Sequence, residues 1–286
     1  MTITAADNHA RYQHQADSHY ENFPVASWLL PPALRHPVSV IYAFARNADD
    51  FADEGDMGRE ERLAKLDDYR NRLYRIQRNE PVNDPLFPEL KKVIDAYDLP
   101  YQAFHDLLSA FSQDVDTSRY PSRETLLDYC SRSANPVGLL LLHLVKRIDP
   151  QAVQESNAIC SALQIINFLQ DISVDYEKGR IYLPLNELEQ FGIAEHHIAG
   201  RIFDDNWRRF ISFQLDQVEQ LMRFGALLPC RLPGRMKYEI RATVVSGLQV
   251  IKLLRKRNRA GFTNQPRLRL PDWVMIAFKT IFYPCK

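Results

Sequence analysis

The stretch 151-QAVQESNAICSALQIINFLQDISVDYEKGR-180 decides the fold. Apolar residues recur along it at helical spacing and Lys178-Gly179 closes it, which predicts one long helix from Gln151 to about Glu177. Gln164, Asn167, Asp171 and Asp175 fall at i, i+3, i+7 and i+11, a helical line of polar residues. Ile165, Ile166, Phe168, Leu169 and Ile172 stand between them, so the helix is apolar on most sides. A helix buried nearly all round carries such a line only where it lines a cavity or binds an ion; the alternative is the exposed stripe of a peripheral helix.

The D-x-x-x-D spacing of Asp171 and Asp175 occurs once more, in Asp49-Asp50-Phe51-Ala52-Asp53. Residues four apart on a helix share a face at about 5–6 Å, so each pair projects two carboxylates into one space. Like charges so close are costly unless a cation lies between them. Mg²⁺ suits such pairs, because it is shared between one or two carboxylates and substrate phosphates. Two pairs on facing helices would therefore grip a diphosphate through metal ions and promote its departure. Arg46 lies one turn before Asp49 and Asp50, and Tyr42 one turn before Arg46. Alone, that stripe is the pattern of a solvated face with internal ion pairs; the second motif changes the reading. Lys178, Arg180 and Tyr182 follow the long helix and can reach a phosphate once the chain turns.

The rest of the chain fits a globular all-α protein. It has 286 residues, 45% hydrophobic and 25% charged, which disfavours disorder and a multispan membrane protein. Lys plus Arg and Asp plus Glu both number 36, so no bulk field argues for nucleic acid. Cys130, Cys160, Cys230 and Cys285 lack the spacing of a zinc site or a disulfide framework, which points to a reducing cytoplasm. No secretory signal precedes Tyr20, residues 1–18 read as a flexible segment, and no apolar run reaches the ~18–20 residues of a bilayer span. With no linker or composition shift, one domain over 1–286 is expected.

Further helices are expected from Pro37 to Glu54, Arg59 to Arg78, Leu86 to Tyr97, Tyr101 to Phe111, Ser122 onward through Tyr129, Leu139 to Arg147, Asp204 to Phe224 and Met236 to about Arg257. Asp114 to Pro121 reads as a loop, and Pro136-Val137-Gly138 as a kink. Asp114-Val-Asp116 lacks the other ligands of a calcium loop, and Arg255 to Arg259 is a basic run at a helix end that is either solvated or turned toward an anion. Trp273 to Tyr283 is an apolar stretch punctuated by Lys279, either a last helix packed on the body or a segment lying on a membrane surface.

The stretch Tyr42 to Glu54 resembles the first aspartate-rich region of the squalene/phytoene synthase family, and Gln164 to Pro184 resembles its second. Tyr129-Cys130 followed by Pro136-Val137-Gly138 is similar to the family's central tyrosine-bearing helix. The resemblance implies an isoprenoid synthase bundle of the head-to-head type, with helices around a central cavity and Mg²⁺, or Mn²⁺ as substitute, at its mouth. It implies Asp49, Asp53, Asp171 and Asp175 as metal-side carboxylates, with Asn167 beside them. Arg46, Tyr42 and Arg180 would contact the diphosphate, and Asp50, Lys178 and Tyr182 belong to the same substrate-binding set. Gln170 stands where many condensing members have arginine. With His19, Asn22 and Phe23 in the N-terminal stretch and Ser133-Ala-Asn135-Pro136, it makes the chain similar to the bacterial hydroxysqualene synthases.

That branch implies presqualene diphosphate as substrate, received from the synthase that makes it, and water as the terminating reagent. No nicotinamide cofactor is expected, and no nucleic acid; transient contact with the inner membrane face is. Asn22, Asn135, Gln164, Asn167 and Gln170 are candidates to position the water. Tyr129 either orients substrate or water or is a packed tyrosine with a satisfied hydroxyl, and the Phe23, Phe44 and Phe168 rings are read as core. The rival readings are condensation of two prenyl diphosphates, and a non-catalytic relative on the same fold.

Overall fold

The computed structural model describes residues 29–260 and 268–284. His19, Asn22, Phe23 and the segment 1–18 lie outside the described residues. In chain order the elements are α1 (Pro32–Asp53), α2 (Arg59–Gln77), α3 (Leu86–Tyr97), α4 (Tyr101–Asp116), β1 (Arg119–Tyr120), α5 (Arg123–Ser133), α6 (Asn135–Leu144), α7 (Pro150–Glu177) and β2 (Ile181–Pro184). They continue as α8 (Leu185–Gln190), α9 (Glu195–Ala199), α10 (Asp205–Gly225), α11 (Leu228–Arg231), α12 (Met236–Ala260) and α13 (Leu270–Ile281). The fold is all-α, as expected, apart from a short parallel ladder of β1 on β2, too brief to leave an alternating pattern in the sequence.

Helix α1 starts at Pro32, whose fixed φ suits a first turn, so Pro37 lies inside the helix rather than opening it and removes one ladder bond. Leu34, Val38, Ile41, Ala48 and Ala52 make its buried face and leave Arg46, Asp49, Asp50 and Asp53 on another side. Helix α4 runs five residues past the expected end at Phe111, so Asp114 and Asp116 are helical, not loop. Tertiary bonds override the poor helix propensity there: Arg132 donates to Gln113 Oε1 at 2.6 Å and Tyr129 to Asp114 Oδ2 at 2.7 Å. The expected kink is a break at Ala134 between α5 and α6.

Helix α7 is the axis of the fold, with α6, α10 and α12 packed on it. The Asp149 side chain caps its start by accepting from Ala152 N at 3.0 Å. Gly179, at φ 78°, ends it in a left-handed conformation that costs glycine nothing. At the end of α10, Gly225 lies so close to α7 that a Cβ there would fall 2.6 Å from the Glu155 carbonyl oxygen and 2.4 Å from Ile159 Cγ1. Phe44 is fully buried among Tyr69, Phe87 and Phe104, which accords with the core reading of that ring.

Cys130 and Cys160 are free thiols, but Cys230 is disulfide-bonded, which corrects the reading of the cysteines as unpaired. Spacing along the chain carries no signal for a single disulfide. Among the described residues no helix is long and apolar enough to cross a membrane. The apolar C-terminal stretch forms α13, which buries Ile276 and Thr280 against the body.

The contact at Gly225 predicts that Gly225→Ala lowers the unfolding free energy by about 1–3 kcal/mol, because the opposing carbonyl cannot rotate away. Urea denaturation checks this, and a variant as stable as the parent would contradict the close packing of α10 on α7.

Candidate active site

The two acidic stretches, more than a hundred residues apart in sequence, meet through Asp53. Its carboxylate on α1 accepts from Lys178 Nζ at 2.7 Å and from Arg180 Nη1 at 2.6 Å, just beyond the end of α7. Burial alone would push the Asp53 pKa up, but Lys178 and Arg180 together hold it below the usual carboxylate range. Two helical turns earlier, Arg46 gathers its own helix's acids: Nη1 lies 3.1 Å from Asp49 Oδ2 and Nη2 lies 2.7 Å from Asp50 Oδ1, with Glu54 on the same guanidinium. The i, i+3 and i, i+4 spacing of these residues produces the fork.

The second pair is under opposite stress. Burial and the neighbouring Asp171 charge push the Asp175 carboxyl up to about 7, against the pull of Arg180 and Lys178. Asp171 also feels Arg257, a half-buried guanidinium on α12. Of the basic run at 255–259, Arg257 therefore turns inward while Arg255 pairs with Asp216 and Glu219.

Asp114 is the residue that sequence reasoning missed. Tyr129 donates to its Oδ2 at 2.7 Å, Tyr182 to its Oδ1 at 3.4 Å, and Arg180 Nη2 to its backbone oxygen at 3.3 Å. Burial pushes this carboxyl up to about 7, and the Asp49 charge adds to the rise. A signal was present: Phe104, Leu107, Leu108, Phe111 and Val115 mark the apolar face of α4, and Asp114 falls within that stripe. An acid in an apolar stripe is the pattern already used for α7. Tyr129 is buried, its hydroxyl engaged by Asp114, and burial followed by the Asp114 charge keeps it protonated. Phe168 stacks on Tyr182 at 3.9 Å between centroids with planes 3° apart, and Tyr120 packs on the other side. Phe168 is thus a core ring, as read from the sequence.

The remaining residues divide between the polar cluster and the cavity. Gln164, Asn167 and Gln170 lie on α7 with Asp171, and Gln170 is buried. Asn135 accepts from Ser161 at 3.0 Å, away from the Asp53 contacts, where α6 meets α7. Tyr42 lines an apolar cavity of about 270 Å³ between α1, α6, α7 and α12. Ala45 and Gly138 line it too, and Tyr42 interacts electrostatically with Arg46 one turn on, so the apolar space begins beside the charged cluster. At Gly138 a Cβ would come within 2.4 Å of Ser156 Oγ, so its absence lets α6 and α7 close the wall.

The donors suit a hard divalent cation. All are carboxylate or amide oxygens, and Asp175, whose proton affinity is raised first by burial and then by the Asp171 charge, is a carboxylate that a divalent cation would relieve. Among the described residues no three acidic, histidine or cysteine side chains converge into a ready cage. Mg²⁺ would need one or two of these carboxylates together with phosphate oxygens from a ligand.

Comparison with known proteins identifies the family. The squalene/phytoene synthase profile matches residues 16–274. The chain is 39% identical to a hydroxysqualene synthase of Zymomonas mobilis over 175 residues, 60% of this chain and 57% of that protein. It is 28% identical to a 15-cis-phytoene synthase of Synechococcus elongatus over 265 residues, 88% and 85% of the two chains. Among solved structures, squalene synthase HpnC from Alicyclobacillus acidocaldarius superposes with a TM-score of 0.82 at 34% identity, covering 89% of this chain and 95% of that one. A dehydrosqualene synthase superposes with a TM-score of 0.86 at 23% identity, over 97% and 96% of the chains, and shares the fold. The chain belongs to the squalene/phytoene synthase family.

Proposed function

We propose that this protein is a hydroxysqualene synthase, which ionises presqualene diphosphate, lets the carbocation rearrange, and captures it with water. The family acts on prenyl diphosphates, which fits an apolar cavity beginning beside a cluster of acids and cations. The observation that carries the finer reading is Gln170, a buried neutral amide next to Asp171. Two prenyl diphosphates bring twice the anionic charge of one, and an arginine there would help to neutralise it. A neutral side chain at that position suits a substrate with a single diphosphate. The 39% identity to a hydroxysqualene synthase supports the same choice.

In this reading Asp49, Asp53, Asp171 and Asp175, with Asn167 beside them, would hold Mg²⁺. The bound metal supplies Lewis-acid stabilisation of the departing diphosphate. Lys178, Arg180, Arg46 and Arg257 bind phosphate oxygens, the first three by exchanging the carboxylates they now hold for the substrate. Asp114 fixes Tyr129 with its proton directed at the carboxylate, and so keeps the tyrosine hydroxyl in place at the edge of the site. The apolar cavity keeps bulk water from the cation until rearrangement is complete. Gln164, Asn167, Gln170 and Asn135 are the polar side chains along α6 and α7 that can place the one water that reacts. Water adds its oxygen to the cation and loses a proton, so the products are an alcohol and diphosphate and no reductant is consumed.

Incubation with presqualene diphosphate and Mg²⁺, with and without NADPH, tests the proposal: hydroxysqualene should form at the same rate in both. Consumption of farnesyl diphosphate with presqualene diphosphate left untouched would overturn it in favour of condensation. Asp53→Asn and Asp171→Asn should each lower kcat/KM by about a hundredfold or more while the variants stay folded by circular dichroism.

Asp114 and Asp175 hold their protons up to about 7, against 3.8 for an ordinary aspartate. The native state therefore binds more protons than the unfolded chain in that window, and their contribution to stability is lost as pH rises toward 7. Asp114→Asn should flatten the fall in metal-free stability across that range, measured by urea unfolding at several pH values. A profile parallel to that of the parent would contradict the proton-retaining state of Asp114.

A further inference from the structure

Helix α13 inverts the usual pattern of a surface helix. Ile276 and Thr280 face inward, yet Leu270, Val274, Phe278 and Ile281 face solvent, with exposures of 78%, 65%, 62% and 64%. Phe282 continues the patch, its ring 4.6 Å from that of Phe278. Tyr283 donates to the Ala226 carbonyl at 2.7 Å, which brings the exposed Phe224 and Leu227 beside the same end. A contiguous apolar surface of this kind marks an interaction site.

The rim of the patch is cationic. Lys279 lies against Lys252 of α12, whose charge pulls its pKa down, and Lys256 follows Lys252 by one turn. Among the described residues none of the three lysines is in an ion pair. Like charges so placed are costly without a counter-anion, and an apolar face edged with lysine complements the headgroups and acyl chains of an anionic bilayer.

Beneath this face is a second cavity of about 280 Å³, between α12 and α13. Tyr238 and Ala242 wall it on one side and Trp273, Ala277 and Ile281 on the other. Glu239 and Thr243 line both this cavity and the larger one. The Thr280 hydroxyl, on a residue 5% exposed, also lines the cavity and has no hydrogen-bond partner among the described residues. An apolar space with one unsatisfied hydroxyl fits a long hydrocarbon that carries a single alcohol.

We propose that the outer face of α13 seats on an anionic bilayer, and that the cavity beneath it is the passage by which an apolar alcohol product leaves the active-site cavity for the lipid. The passage rests on the functional reading above; the membrane seat does not.

The test uses the full chain and vesicles of phosphatidylcholine with and without phosphatidylglycerol. The parent should float with the anionic vesicles, and Val274→Glu/Phe278→Glu, melting at the same temperature, should bind roughly tenfold less or weaker. Lys252→Glu/Lys279→Glu should lose binding as well, at roughly fivefold or more per lysine. A parent that stays at the bottom of the gradient, or acidic variants that float equally, would overturn the seat. So would a solution dimer that Phe278→Glu splits, since the face would then belong to a second copy.

For the passage, Ala277→Trp should float like the parent but slow steady-state turnover of vesicle-borne presqualene diphosphate several-fold more than single-turnover product formation. Thr280→Val should show the same split more weakly. Equal slowing of both phases, or none in either variant, would overturn the passage. If the parent forms no alcohol even in one turnover in detergent, the functional reading fails instead, and flotation still decides the seat.

Discussion

Asp53, held between Lys178 and Arg180, is the contact on which the site depends. It joins the end of α1 to the chain leaving α7 and so turns two separate acidic stretches into one cluster. It also sets the electrostatic state of that cluster. The carboxylate of the first motif is satisfied by cations, while Asp175 of the second is half-buried beside Asp171 and drawn toward protonation. A diphosphate with its metal ions would reverse both conditions at once: the cations would move to phosphate oxygens, and the crowded acids would gain a divalent partner.

The packing of α7 makes that arrangement possible. A helix with neighbours on several sides has no solvent-facing surface to spare, so its polar line must face an interior space. The close approach at Gly225 brings α10 against it, and the missing side chain of Gly138 opposite Ser156 lets α6 come near enough to wall the apolar cavity. Among the described residues Glu239 is the one acidic or basic side chain in the cavity wall and most of the rest is apolar, the surroundings that would shield a carbocation from water in the proposed reaction.

The long helix, the break before Asn135-Pro136 and the pairing of the two acidic motifs were all legible in the sequence, because each is written in helical spacing or in punctuation. The start of α1 at Pro32 and the extension of α4 to Asp116 were not. The first turns on which of two nearby prolines opens the helix, a choice local pattern leaves open, and the second on tertiary bonds, those of Arg132 and Tyr129 to Gln113 and Asp114, that no local pattern reports. Asp114 was set aside as part of an incomplete calcium loop, whereas as part of a helix it meets Tyr129, Tyr182 and Arg180. Arg46 shows the converse limit. Its spacing from Asp49 and Asp50 was plain, but only the folded chain shows those acids, with Glu54, already gathered on it.

The central claim is that the carboxylates form a metal site only together with a diphosphate, which must take Lys178, Arg180 and Arg46 off them. Calorimetric titration of the protein with Mg²⁺, alone and in the presence of inorganic diphosphate, tests this most directly. Weak binding of Mg²⁺ alone and much tighter binding once diphosphate is present is the predicted result. Equally tight binding of Mg²⁺ without diphosphate would contradict it.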